Sequence, residues 1–211
     1  MRWGFAALAA WGILGSAAAG AETVCGRESS GAFSWGYCFD AQFADAEARI
    51  TVKVNLIPAS GISRSEFDRA RKGWERGVDQ VWNRRFALVT PDGRRYPIVI
   101  SLVQGNLAVH YEVVVRPQWK QTDLLNWSLQ DSPLKAAHEF GHMLGAFDEY
   151  RRGATGPAGG GGGDSIMGNR SAGTAYPRHL EKVRQWFLET SALKEVSVET
   201  LVAEAKSGGG K

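Results

Sequence analysis

The sequence predicts one mixed α/β domain, because segments with strand periodicity and segments with helix periodicity follow one another along the chain. Polar and apolar residues alternate over 49–57, which predicts a strand with one buried face. Apolar residues at helical spacing over 67–86 predict a long amphipathic helix, and residues 96–103 and 107–115 predict two further strands. A last amphipathic helix is predicted over 178–189. With 211 residues, 44% of them hydrophobic, the chain can form a substantial core.

The long helix has a recognisable start and an apolar face. Ser63 or Ser65 can cap its first turn. Trp74 and Trp82 lie on its apolar face, and at this spacing they fit a core better than a ligand-binding aromatic pair. Residues 90–93 then predict a turn that leads into the next strands.

A second helix is predicted over 132–144. Ser132 suits the capping position and Pro133 the first helical position, while Gly145 can end the helix. A short strand is expected within 122–129, before this helix. The order of strand, long helix, further strands and shorter helices predicts a mixed sheet backed by helices.

The first residues have the layout of a secretory signal peptide, predicted over 1–21. Arg2 supplies a positive charge, residues 4–15 are apolar, and Ala19 and Ala21 fit a cleavage site. The apolar run is too short to span a bilayer, and an uncleaved membrane anchor is the alternative. The protein is therefore expected to be secreted or periplasmic, with no stable membrane insertion after cleavage.

Export to an oxidising compartment favours a disulfide between Cys25 and Cys38, which are the only two cysteines. A metal-binding cysteine pair is the alternative, but the spacing is not that of a zinc knuckle. The bridge would lie in an N-terminal segment over 22–48, expected to be irregular. At the other end, residues 191–211 are predicted to be a weakly ordered tail.

The strongest chemical signal is a His-Glu-x-x-His pattern on the second helix. His138 and His142 project from one face a turn apart, so both imidazoles can bind one cation. Zinc accepts such ligands and keeps one position for water in catalytic sites, and Glu139 can take a proton from that water. A third protein ligand is needed. Gly145 allows the chain to turn back, so that Asp148 can reach the metal.

Other residues compete for roles at this site. His179 on the last helix is the main alternative third ligand, and Glu149 is another. Tyr150 and Tyr176 could stabilise the oxyanion of a tetrahedral intermediate, although the sequence favours a packing role for each of them.

The extended motif resembles that of the metzincin superfamily of zinc peptidases, in the branch whose third ligand is aspartate. The motif residues in this sequence are His138, Glu139, His142, Gly145 and Asp148. The family also has a methionine turn beneath the metal, and residues 165–168 match it. The resemblance implies a zincin-like catalytic domain over 49–190, with one catalytic zinc and Met167 as a hydrophobic floor. It also implies a mixed sheet with a long backing helix, an active-site helix and a C-terminal helix.

The sequence thus leads us to expect a secreted zinc-dependent endopeptidase with Glu139 as general base and then acid. Its substrate would be a peptide or protein lying extended along an edge strand. The alternatives are a secreted zinc-binding module without turnover and a zinc hydrolase of a non-peptide substrate. The net charge of +3 comes from scattered lysines and arginines, which does not indicate a nucleic-acid groove. The glycine run at 159–163 would be either a rim of the cleft or a surface insertion, and the sequence specifies no oligomeric state.

Overall fold

A mixed β-sheet is the main element of the computed structural model, which describes residues 20–151, 153–156, 163–169 and 173–201. The strands are β1 (Glu22–Ser30), β2 (Phe33–Ala44), β3 (Glu47–Pro58), β4 (Phe86–Val89), β5 (Arg95–Gln104), β6 (Tyr111–Arg116), β7 (Asn126–Ser128) and β8 (Ser197–Thr200). The helices are α1 (Arg64–Trp82), α2 (Pro133–Met143), and α3 (Glu181–Thr190), with a short 3₁₀ helix (Pro177–Leu180) directly before α3. The predicted signal peptide and glycine run lie almost entirely outside the described residues. Within those residues, no helix has both the length and the apolar character needed to cross a bilayer.

The sheet is organised around β3. The strand order is β1-β2-β3-β5-β4-β8, and a branch runs from β3 through β6 to β7. β3 pairs antiparallel with β2 but parallel with β5 and β6, and β7 continues the parallel branch. Burial alternates residue by residue along β3 from Glu47 to Ile57. The prediction of a strand with one buried face is therefore confirmed, and so is a mixed α/β architecture.

The N-terminal segment is not irregular, and that prediction was wrong. β1 and β2 form an antiparallel hairpin in which Cys25 lies opposite Cys38, and the predicted disulfide joins them. The strand signal was present in the sequence, since Phe33, Trp35 and Tyr37 alternate with smaller residues.

The C-terminal tail is also more ordered than predicted. Ser197–Thr200 pairs with β4 as strand β8, and Glu199 of β8 forms an ion pair with Arg95 of β5 across the intervening β4. Residues 202–211 lie outside the described part of the chain. Phe86, assigned to the end of the long helix, instead begins β4, because Asn83 caps the helix and its Oδ1 accepts a hydrogen bond from the backbone of β5. These strands depend on partners far away in the sequence, which local periodicity does not reveal.

Helices α1 and α2 pack directly on each other, and the two tryptophans of α1 lie in the core. Trp74 donates a hydrogen bond from Nε1 to the carbonyl of Asp131, and Trp82 donates one to the carbonyl of Ala137. Both indoles are almost fully buried. The predicted core role of these tryptophans is confirmed, and through it α1 fixes the position of α2.

A buried polar cluster ties the hairpin to the central strand. Asp40 of β2 accepts hydrogen bonds from Thr23 at 2.7 Å and from Lys53 at 2.6 Å, and it lies 3.1 Å from His110 Nε2. Burial by itself raises the pKa of the Asp40 carboxyl. The hydrogen bonds from Lys53, Thr23 and His110 outweigh that effect and hold the pKa below its ordinary value.

Candidate metal centre

Helix α2 presents the candidate residues from a buried position. Ser132 caps it by accepting a hydrogen bond from the backbone of Lys135, and Pro133 occupies the first turn, as predicted. His138 is 0% exposed, Glu139 2% and His142 9%. Ionisable side chains are seldom buried this deeply unless they are paired or bind a metal, so their presence here calls for a chemical role.

Backbone carbonyls orient both imidazoles of α2. His138 Nδ1 lies 2.9 Å from the carbonyl oxygen of Ile166, and His142 Nδ1 lies 2.9 Å from that of Ala146. A carbonyl oxygen only accepts hydrogen bonds, so each Nδ1 is the protonated, donating nitrogen. In the neutral ring the lone pair is then on Nε2. In metal-binding histidines, a hydrogen bond from the non-coordinating nitrogen orients the ring in the same way.

The chain turns back after α2 and brings Asp148 to the two histidines. Gly145 has a φ of +89°, the left-handed conformation that the motif predicted at this position. Asp148 Oδ1 lies 3.3 Å from His138 Nε2 and 3.4 Å from His142 Nε2. Its other oxygen, Oδ2, accepts a hydrogen bond from the backbone of Ala154 at 2.8 Å. One carboxylate oxygen is thus anchored and the other faces both imidazoles.

The charges of this cluster support one another. Burial raises the pKa of Asp148, but the contacts with His138 and His142 outweigh it and leave the pKa well below its ordinary value. Burial lowers the pKa of His142, yet Asp148 and the charge of Glu139 raise it overall. The site is therefore electrostatically suited to a cation.

His138, Glu139 and His142 form a group that could hold a metal ion. Their candidate ligand atoms all lie within 4.8 Å of one another. Asp148 is not a member of this group, but its Oδ1 lies 3.3 and 3.4 Å from the two histidine Nε2 atoms, so both imidazoles have a carboxylate of Glu139 or Asp148 nearby. Imidazole nitrogen and carboxylate oxygen are both accepted by zinc.

His179 lies next to this cluster but uses its two nitrogens elsewhere. Its Nδ1 accepts a hydrogen bond from the backbone of Tyr176 at 3.0 Å, and its Nε2 lies 3.1 Å from Glu149 Oε1. Burial is the largest of the causes that lower the pKa of His179 to about 4, so the ring is neutral near pH 7. Because Nδ1 accepts, Nε2 carries the proton and donates to Glu149. The single ring lone pair is therefore directed at the backbone of Tyr176 and not at the other two histidines.

Glu149 is likewise engaged with groups outside the cluster. Arg178 donates two hydrogen bonds to the Glu149 carboxylate, at 2.5 and 2.8 Å. The backbone amide of Glu149 donates to the carbonyl of Met167. Burial raises the pKa of Glu149, but the hydrogen bonds from Arg178 and Ser165 lower it to about 2. Glu149 therefore holds the segment that carries Asp148 against the turn that contains Met167.

Met167 is fully buried beneath α2 on a tight turn. The backbone of Gly168 donates to the carbonyl of Ser165, and the Ser165 hydroxyl accepts from the backbone of Met167. A Cβ on Gly141 would lie 2.6 Å from the sulfur of Met167, so the glycine lets this side chain approach the helix closely. The neighbouring Ile166 supplies the carbonyl that orients His138. The turn thus supports the histidine helix from below.

The two candidate oxyanion tyrosines differ in position. Tyr150 lines the cavity that also contains Glu139, with its ring 6.2 Å from that of His138. The hydroxyl of Tyr176 instead donates to Asp164. Tyr176 does not line this cavity. Of the two tyrosines, Tyr150 is therefore the one that lines the cavity containing Glu139.

A cavity of about 220 Å³ opens onto the candidate centre. The tip of the β1–β2 hairpin, residues 33–35, forms one wall, and residues 121–124 form another, with Glu139 and His142 between them. The ring of Trp35 meets that of His142 edge-on at 5.6 Å. Sequence reasoning missed this wall, because the hairpin lies about a hundred residues before the motif.

Comparisons with known proteins add no relative: no protein-family model, no curated protein and no solved structure matches the chain.

Proposed function

We propose that this protein is a zinc-dependent endopeptidase in which His138, His142 and Asp148 hold the metal. The observation that carries the proposal is the distance of Asp148 Oδ1 from each of the two histidine Nε2 atoms. Ligands bound about 2.0–2.1 Å from zinc at tetrahedral angles lie roughly 3.3–3.4 Å apart. Asp148 Oδ1 lies 3.3 and 3.4 Å from the two histidine Nε2 atoms.

Hydrogen bonding accounts less well for the same distances. A charge-assisted N–H···O bond is about 2.7–2.9 Å long, clearly shorter than either contact. The Nδ1 bonds to carbonyl oxygens also favour a lone pair on both Nε2 atoms. The donor set therefore fits zinc, and the engaged nitrogens of His179 favour Asp148 as the third ligand.

The proposed reaction is hydrolysis of a peptide bond, with Glu139 moving the proton. A bound zinc would lower the pKa of its water and polarise the substrate carbonyl. Glu139 accepts the proton as the water oxygen adds to the carbonyl carbon, and then gives it to the amine nitrogen as the C–N bond breaks. Tyr150 offers a hydroxyl at the cavity wall that can donate to the carbonyl oxygen as negative charge develops on it.

A peptide is favoured as the substrate by the edge of the sheet near the cavity. Among the described strands, β7 pairs only with β6, and residues 121–124 before it line the cavity. The backbone amides of Asn126 and Ser128 on β7 already donate to Asp123 and Asp131, so an extended peptide would lie beside residues 121–124, which line the same cavity as Glu139.

The experiment measures zinc content and cleavage of unfolded protein by the unmutated protein and by Glu139→Gln and Asp148→Asn variants. We expect about one zinc per chain and cleavage in the unmutated protein, zinc without cleavage in Glu139→Gln, and weakened zinc binding in Asp148→Asn. Glu75→Gln on α1 is the matched control and retains both properties.

Each contrary result has a defined meaning. Absence of zinc binding in the unmutated protein would overturn the proposal. Zinc binding without cleavage would favour the non-catalytic module, and full activity in Glu139→Gln would remove that residue as the base.

A further inference from the structure

We propose that the tip of the β1–β2 hairpin binds substrate and selects a bulky apolar side chain beside the bond that is cut. Phe33 and Trp35 would supply the apolar contact. This inference rests on the proposed function, because it names the kind of peptide that the same cavity accepts.

The first argument is position. Phe33, Ser34 and Trp35 line the cavity that contains Glu139 and His142. Trp35 also packs edge-on against Phe147 at 5.0 Å, which anchors the base of the wall. A substrate whose carbonyl reaches Glu139 would therefore bring a neighbouring side chain against the hairpin tip.

The second argument is the exposure of Phe33 on a well-fixed element. The residue is 50% exposed, so packing within the protein does not account for an aromatic side chain at the tip. The hairpin is held by the Cys25–Cys38 disulfide and by the Ser30 hydroxyl, which donates to the carbonyl of Thr155. A fixed apolar surface binds without the entropic cost of ordering a loop.

The opposite wall is fixed as well. Thr122 donates from its hydroxyl to Asp131 at 2.7–2.8 Å, and the same carboxylate accepts from the backbone of Ser128 at 2.7 Å. The cavity therefore lies between two walls that hydrogen bonds hold in place. Its volume of about 220 Å³ is below the roughly 300 Å³ at which small-molecule pockets begin, so it suits one side chain rather than a larger ligand.

The charged side chains that line the cavity determine which substrate side chains it excludes. Its lining includes the carboxylates of Asp123, Glu139 and Asp148, and no lysine or arginine is among the described lining residues. In the zinc-loaded protein the charge of the metal offsets those of Glu139 and Asp148, so Asp123 is the carboxylate that would repel an acidic substrate side chain, whereas an apolar one would cover Phe33. The substrate class is therefore a peptide with phenylalanine or leucine, and not aspartate, at the selected position.

The test uses zinc-loaded protein and peptides that differ at one position, carrying Phe, Leu, Ala or Asp. The unmutated protein should cleave the Phe peptide at least about ten-fold more efficiently, in kcat/KM, than the Ala peptide. Phe33→Ala should reduce this ratio to about two-fold or less, with the Ala peptide and the zinc content unaffected. Phe33→Leu should restore most of the preference.

Leu107→Ala is the matched control, since Leu107 is an 82% exposed apolar residue that does not line the cavity. An unchanged Phe-to-Ala ratio in Phe33→Ala would overturn the inference while leaving the proposed peptidase intact.

Peptide affinity measured calorimetrically on the Glu139→Gln variant, with and without Phe33→Ala, separates the two proposals. Absence of cleavage by the unmutated protein, together with a Phe preference in binding that Phe33→Ala removes, would refute the peptidase and retain the hairpin site. Equal affinity for the Phe and Ala peptides would overturn the inference.

Discussion

Replacing either of two glycines on α1 by alanine should change the free energy of unfolding in opposite directions, although the two positions are only one helical turn apart. Gly73 and Gly77 are both buried where α1 meets Pro133, the first residue of α2. A Cβ at Gly77 would lie 2.2 Å from the carbonyl oxygen and 2.6 Å from the carbonyl carbon of Pro133. At Gly73 the nearest atom would be 3.9 Å away, an ordinary contact.

The expected change in the free energy of unfolding is the sum of a gain in helix propensity and a cost of overpacking. Replacing glycine by alanine inside a helix stabilises it by about 0.8–1 kcal/mol. At Gly77 this gain is opposed by overpacking, which costs about 1–3 kcal/mol, and the upper end applies because the clash is with backbone that has no alternative rotamer. We therefore expect Gly77→Ala to lower the free energy of unfolding by about 2 kcal/mol, and Gly73→Ala to raise it by up to about 1 kcal/mol.

Urea denaturation of both variants, followed by tryptophan fluorescence, measures the difference. Because Pro133 begins the helix that carries His138, Gly77→Ala should also weaken zinc binding, whereas Gly73→Ala should not. Equal changes in the two variants, or a more stable Gly77→Ala, would refute the packing argument.

Two further predictions concern the buried carboxylates of Asp40 and Glu149. Asp40→Asn should lower the free energy of unfolding by about 1–3 kcal/mol at pH 7. The pKa of Asp40 is lowered in the folded state, so the full loss of stability should appear above about pH 4. The loss should disappear as the pH falls through the folded-state pKa. Asp45→Asn, at an exposed site, is the control and should show no such pH dependence. Glu149→Gln should raise the zinc dissociation constant about 10- to 100-fold, because Glu149 fixes the segment next to Asp148, and Glu75→Gln should leave it unchanged. An Asp40→Asn deficit that does not shrink as the pH falls below about 4, or an unchanged zinc affinity in Glu149→Gln, would contradict the respective prediction.

Several features of the protein could be predicted from the sequence alone, because they depend on residues only a few positions apart in the chain. Alternation over 49–57 gave a strand, and the four-residue spacing put His138 and His142 on one buried face. Ser132 marked the start of α2, and either Ser63 or Ser65 marked the start of α1, where the structure shows Ser63 as the cap. These are short-range properties of the backbone, so the local pattern suffices to specify them.

Only the tertiary structure decided which distant groups meet at the candidate site. Asp148 and His179 are both chemically able to bind zinc. Their positions differ because Tyr176 and Glu149 engage the nitrogens of His179, while a backbone amide anchors one oxygen of Asp148 and leaves the other facing the histidines. The hairpin wall and strand β8 likewise depend on pairing between segments far apart in sequence. Such contacts are fixed by packing and hydrogen bonding of the whole fold, and no local periodicity records them.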